Sequence, residues 1–195
     1  MENSCTREGD SMRELNDYSG EFNPAIKYKD FSKEVLIKAL NAYASYIRRL
    51  DGIWYLTVKE QVNDDTAFLC DRLVWDKMEV HDADMTRKLF KIEANDVAAM
   101  FKTLQMSPWT WNLRHHFELK TPHHGIWTVN RCPVLLALEN EGEGREQRIC
   151  GLIETELFQI RAHYINPQMK VRPLKLPPRK GKDEVACRWE FKFED

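Results

Sequence analysis

The sequence predicts an α+β domain, a helical N-terminal half packed on a four-stranded antiparallel sheet. Three observations lead there. Apolar residues recur at helical spacing from residue 32 to about 106, the period switches to two between Trp109 and Leu119, and the later elements run β-β-α-α-β-β. Residues 1–30 are poor in large apolar side chains and read as a mobile N-terminal arm, which leaves residues 31–195 as one domain. A chain of 195 residues buries enough surface for one core.

Ser32 is a suitable N-cap for the first helix, and Leu36, Leu40, Tyr43 and Ile47 fall on one face that should point inward. Asp51-Gly52 predicts a pause, and a second helical run covers Ile53 to Val62. A third carries Ala67, Val74 and Met78 on one stripe, followed by a short run from Asp84 to Ile92. Asn95 is placed to cap another helix with Val97, Phe101 and Leu104 facing inward, and Pro108 closes the helical half.

Alternation from Trp109 to Leu119 predicts a strand, Lys120 to Gly125 supplies turn chemistry, and Ile126 to Arg131 returns as the antiparallel partner. Proline is well tolerated at a first helical position, so Cys132-Pro133 opens a helix that ends before Gly142 and Gly144. Ile149, Ile153, Leu157 and Ile160 make the apolar stripe of the next helix, from Glu146 to Tyr164, which Asn166-Pro167 terminates. Strands from Met169 to Leu174 and Val185 to Phe193 flank a Pro- and Lys-rich loop.

The charge balance of 29 basic and 31 acidic residues offers no field for nucleic acid or an anionic membrane. No stretch of about eighteen apolar residues occurs, and no leader pattern opens the sequence, so a cytosolic location is expected. Five cysteines, odd in number and widely spaced, point to reduced thiols.

The cysteines also carry the candidate chemistry. Cys132 stands at a helix start, where backbone N–H groups and the helix dipole favour a thiolate, which makes it a candidate nucleophile or ligand. Cys150 lies in the first turns of the next helix, and Cys187 has the inward parity of Trp189 and Phe191 on the last strand. Three thiols could therefore converge as ligands for zinc or iron, although their spacing matches no standard zinc or iron–sulfur motif. Glu60 is a candidate general base if buried, and His115, on the inward face of its strand, a candidate proton carrier. His116 takes the opposite face, and His123 and His124 fall at the turn. The basic segment from Lys170 to Lys182 suits either a carboxylate or phosphate or a solvated strand edge.

One run of landmarks carries a resemblance. Leu50-Asp51-Gly52-Ile53-Trp54 with Glu60, then Asp71, Trp75 and Leu104 to Trp109, precede Arg131-Cys132-Pro133, Cys150, Ile165-Asn166-Pro167, Pro177-Pro178 and Cys187-Arg188-Trp189-Glu190-Phe191. Over residues 31–195 this resembles an uncharacterised prokaryotic cytosolic-protein family, itself distantly similar to L-2-amino-thiazoline-4-carboxylate hydrolase-like proteins. The resemblance implies a cysteine-lined pocket that hydrolyses a cyclic C=N substrate or holds a metal. Members of that family carry further cysteines before the Pro-Pro pair, where this chain has Arg172-Pro173-Leu174-Lys175-Leu176, so a complete thiolate centre is in doubt.

Three functional expectations follow. One is a hydrolase of a small carboxylated nitrogen heterocycle, with Cys132 as nucleophile or ligand, Cys150 and Cys187 completing the site, and His115 or Glu60 moving protons. The alternative is a non-catalytic small-ligand or metal-sensing domain, which could be a homodimer. A third keeps the cysteines structural in an interaction module.

Overall fold

The computed structural model describes residues 14–193, and it divides into two compact units, residues 1–43 and 44–195. In the first, the chain from Leu15 folds back on itself. Leu15 forms a parallel bridge with Phe31, the Leu15 N–H donates to the Asp30 carbonyl at 2.8 Å, and the Ser32 N–H donates to the Leu15 carbonyl at 2.9 Å. The described part of the expected arm is thus hydrogen-bonded to residues 30–32, and the rest, residues 1–13, lies outside the described residues.

Helix α1 runs Lys33–Gln61 without the pause expected at Asp51-Gly52. A lone glycine weakens a helix by only about 1 kcal/mol, and neighbouring contacts offset it. Tyr55 is buried and donates its hydroxyl to Asp64 at 2.9 Å, while Asp51 accepts the indole N–H of Trp75 at 2.9 Å. The true break is Val62-Asn63, where the Asn63 side chain accepts from the Thr66 N–H and starts α2, Asp64–Phe90.

The apolar stripes of these helices do not lie where the spacing places them. Leu40, Tyr43, Ile47, Val74 and Met78 are exposed. Of the stripe expected on α2, Ala67 is buried, and Glu79, Asp82, Ala83 and Thr86 complete the buried face, where Arg161 pairs its guanidinium with both Glu79 and Asp82.

Helix α3, Val97–Met106, is capped by Asp96, not Asn95: the Asp96 carboxylate accepts from the Ala99 N–H at 2.8 Å. Strand β1 is Arg114–Thr121, and β2 is His124–Arg131. The alternating residues 109–113 form turns, not strand. Helix α4 is Pro133–Glu141, with Gly142 at φ 73° ending it in the left-handed region that glycine adopts freely. A short α5, Arg145–Arg148, continues through a π-helical segment, Ile149–Ile153, into α6, Glu154–Ile165. Strands β3, Met169–Lys175, and β4, Cys187–Phe193, complete the chain.

The four strands are antiparallel in the order β1-β2-β4-β3, the α+β architecture the sequence predicts. Helices α3 and α6 pack on the sheet, and α2 packs on α6. Trp127 of β2, Trp189 and Phe191 of β4, Phe101 of α3 and Phe158 of α6 make the core between them. Gly125 lets α3 come this close, since a Cβ there would stand 2.5 Å from the Phe101 ring and 2.9 Å from Val97. Among the described residues no helix is long and apolar enough to cross a membrane.

Candidate functional site

Two small cavities, each about 40 Å³ and each with room for about three waters, flank α6 and its π-helical approach, the first on the side of α1 and α2 and the second against the sheet. The first is bordered by Asp51, Asp71, Trp75, Glu79, Glu154 and Arg161. Cys132, Cys150, Cys187, Trp127, Trp189 and Glu154 border the second. Glu154, Trp109, Val134 and Phe158 belong to both, so one carboxyl stands between a group of acids and a group of thiols.

Local structure explains this placement. The π-helical segment contains Cys150 and ends where the Glu154 N–H donates to the Ile149 carbonyl five residues back. Such segments recur at functional sites. Trp109, freed from the expected strand, packs edge-on against Trp75 with ring centres 4.4 Å apart. Both tryptophans wall the acid cavity.

The electrostatics of the acids follow from removing charge from water. Burial pushes the Glu154 carboxyl up to about 8, helped by the neighbouring charges of Glu79, Asp71 and Asp51. Burial and then Asp51 push Asp71 up to about 7, against the opposing pull of Arg145 and Trp75. Asp51 is also raised by burial, although the Trp75 N–H favours its ionised form. At neutral pH, then, Glu154 is mostly protonated and Asp71 is divided between its two forms.

The thiols depart from expectation in charge. Cys132 does cap α4, with the Leu135 N–H 3.5 Å from its sulfur. Yet burial raises its pKa and outweighs that N–H, so the expected low-pKa thiolate is corrected to a neutral thiol. Burial raises Cys150 and Cys187 as well, and nearby thiols and Glu154 add to it. The three sulfurs do border one cavity, but no group of three or more His, Cys, Asp or Glu among the described residues could hold a metal ion. The zinc or iron site expected on Cys132, Cys150 and Cys187 therefore has no ligand geometry behind it here.

The other two candidates stand elsewhere. Glu60 is exposed near the end of α1 and borders none of the cavities or grooves described here, so the sequence placed this general base wrongly. Its helix continues unbroken through Gly52, which turns Glu60 to solvent. His115 is half-buried, and its Nδ1 accepts the indole N–H of Trp127 at 3.0 Å. It supports a cavity wall without bordering the cavity. The carboxyls Asp51, Asp71 and Glu154 replace both in the site. Asp71 was visible only as a landmark, and Glu154 left no signal in the periodicity.

A wider groove of about 590 Å³ opens at the surface, bordered by Arg48, Arg49, Asp51, Asn112, Pro133, Val134 and Arg145. Asp51 and Val134 border this groove and the acid cavity alike. Arg145 is held by a bidentate pair with Glu141 at 2.7 and 2.8 Å and lies 4.1 Å over the Tyr55 ring. Arg48 donates to the Trp109 carbonyl at 3.4 Å, and Arg49 makes no ion pair among the described residues.

Fold and site together define an α+β protein with a carboxyl- and thiol-lined interior next to an arginine-rimmed groove. The chain belongs to a family of unknown function, DUF6125, whose model matches residues 29–193. No curated protein and no solved structure matches it.

Proposed function

We propose that this protein binds a small carboxylated nitrogen heterocycle in the groove between α1 and α4, as a ligand-binding or sensing domain of the cytosol. One observation supports the reading above the rest: Asp51 borders both the groove and the acid cavity. A ligand carboxylate suits the guanidinium groups of Arg48 and Arg49 at the rim, since arginine forks bind such groups in charge-assisted pairs. A ring nitrogen directed inward would meet Asp51, which can accept its N–H. Free Cys70, Cys132, Cys150 and Cys187 fit a reducing compartment.

A hydrolytic reading is favoured by the near-neutral pair alone. Asp71 near 7 and Glu154 near 8 suit proton transfer around neutral pH, one as base and one as acid. In that reading water adds to the C=N carbon while its proton passes to Asp71 and Glu154 protonates the ring nitrogen, and the adduct then collapses to a carbonyl, breaking the bond from that carbon to the ring nitrogen, which leaves as an amine carrying the hydroxyl proton. Cys132 keeps its thiol proton throughout.

The test is titration of the full chain with 2-aminothiazoline-4-carboxylate, followed by calorimetry and by the fluorescence of Trp75 and Trp109. Binding weakened about tenfold or more by Arg49→Ala is expected, the usual loss for one charge-assisted contact. Absence of binding at millimolar ligand overturns the proposal. Ring-opened product that disappears in Glu154→Gln while binding persists selects the hydrolase.

A further inference from the structure

We infer that the outer face of α1 is a two-fold contact with a second copy of this chain, the two helices running antiparallel about Leu50. Between Tyr46 and Trp54 five large apolar side chains are open to solvent: Tyr46 64%, Ile47 40%, Leu50 53%, Ile53 54% and Trp54 62%. At 3.6 residues per turn they share one stripe of the helix. The charged residues of the same span, Arg48, Arg49 and Asp51, fall off that stripe, and Arg48 and Asp51 make contacts elsewhere.

The stripe is palindromic. Tyr46 and Trp54 stand equally far from Leu50, and so do Ile47 and Ile53. A two-fold axis through Leu50 sets Tyr46 against Trp54, Ile47 against Ile53 and Leu50 against its own copy. This is the self-complementary patch that an isologous dimer requires. The flanking aromatics would meet as pairs, and aromatic residues are enriched at interfaces.

Area agrees with that occupant. If a fully exposed large side chain presents roughly 200 Å², the stripe offers roughly 550 Å² of apolar surface. Because the core of an interface is about 65% apolar, this corresponds to a total near 800 Å² per partner, the size of a standard stable interface. A foreign partner would need the stripe to carry some feature that this symmetry does not impose, and its charged neighbours supply none.

Sedimentation equilibrium of the full chain across micromolar concentrations tests the inference. A mass of twice 23.1 kDa is expected, with association weakened about a hundredfold or more in Leu50→Glu, where two carboxylates would face each other. Cross-linking gives a second readout that does not depend on Leu50→Glu folding. Leu50→Cys should form an interchain disulfide with itself, and Tyr46→Cys should cross-link to Trp54→Cys on mixing but to neither alone. A monomeric wild type, a dimer indifferent to Leu50→Glu, or self-cross-linking of Tyr46→Cys overturns it.

Discussion

The indole N–H of Trp127 on β2 donates to Nδ1 of His115 on β1 at 3.0 Å, which fixes the histidine as an acceptor at that nitrogen. Burial, and secondarily His116, lowers the His115 pKa below its ordinary 6.5. A histidine held neutral in the folded state contributes stability that is complete above pH 6.5 and is lost as pH falls through its folded value. His115→Phe should therefore flatten the loss of stability below pH 6.5, and it should also lower stability at pH 7 by about 1–3 kcal/mol by leaving the Trp127 N–H without its acceptor. Urea unfolding at several pH values checks both.

Glu154 gives the opposite sign. Its folded pKa, about 8, lies above the ordinary 4.5, so its contribution is complete below pH 4.5 and is lost as pH rises through 8. Asp71 acts in the same direction through about 7. Glu154→Gln keeps the neutral shape, so its advantage over wild type should be small near pH 5 and grow to roughly 5 kcal/mol above pH 8. Thermal unfolding from pH 5 to 9 shows whether the two curves part.

Arg161 is 2% exposed and joins Glu79 and Asp82 of α2 to α6. Removing one partner of a buried ion pair strands the other charges, so Arg161→Met should lower stability by about 3–5 kcal/mol. Adding Glu79→Gln and Asp82→Asn to that variant should restore part of the loss. Denaturant midpoints of the single and triple variants make the comparison.

The thiols of Cys132, Cys150 and Cys187 are held neutral by burial. Iodoacetamide at pH 7 should leave them unmodified in the folded protein and alkylate them once urea unfolds it, because the thiolate is the reacting form. Peptide mapping by mass spectrometry reads each site separately. Rapid alkylation of Cys132 in the native state would restore the nucleophile that its helix-start position suggests.

Glu60→Ala should change stability by less than about 0.5 kcal/mol, as surface substitutions do, and should leave ligand titrations unaltered. Calorimetry on both proteins is sufficient.

Much of the fold can be read from the chain because local chemistry sets it. Alternation within His115, Phe117 and Leu119 marks β1, turn residues after Lys120 mark the hairpin, Pro133 marks the start of α4, and Asn166-Pro167 marks the end of α6. Periodicity, however, records that a side chain is apolar and on a given face, not what lies opposite. Leu40 and Ile47 follow the helical pattern and stay exposed, while Glu79 and Asp82 break it and are buried against Arg161.

The candidate site shows the same division. Sequence alone determined an α+β chain with unpaired cysteines, two of them inside helix starts and one on the inward face of the last strand. Only the tertiary structure decided that Cys132, Cys150 and Cys187 share a cavity with Glu154, that Asp51 and Asp71 stand beside it, and that Glu60 and His115 do not. The reason is physical: hydrogen bonds within helices and hairpins act between near neighbours in the chain, whereas the pKa of a carboxyl or thiol depends on how much water and charge surround it, and residues far apart in sequence supply both.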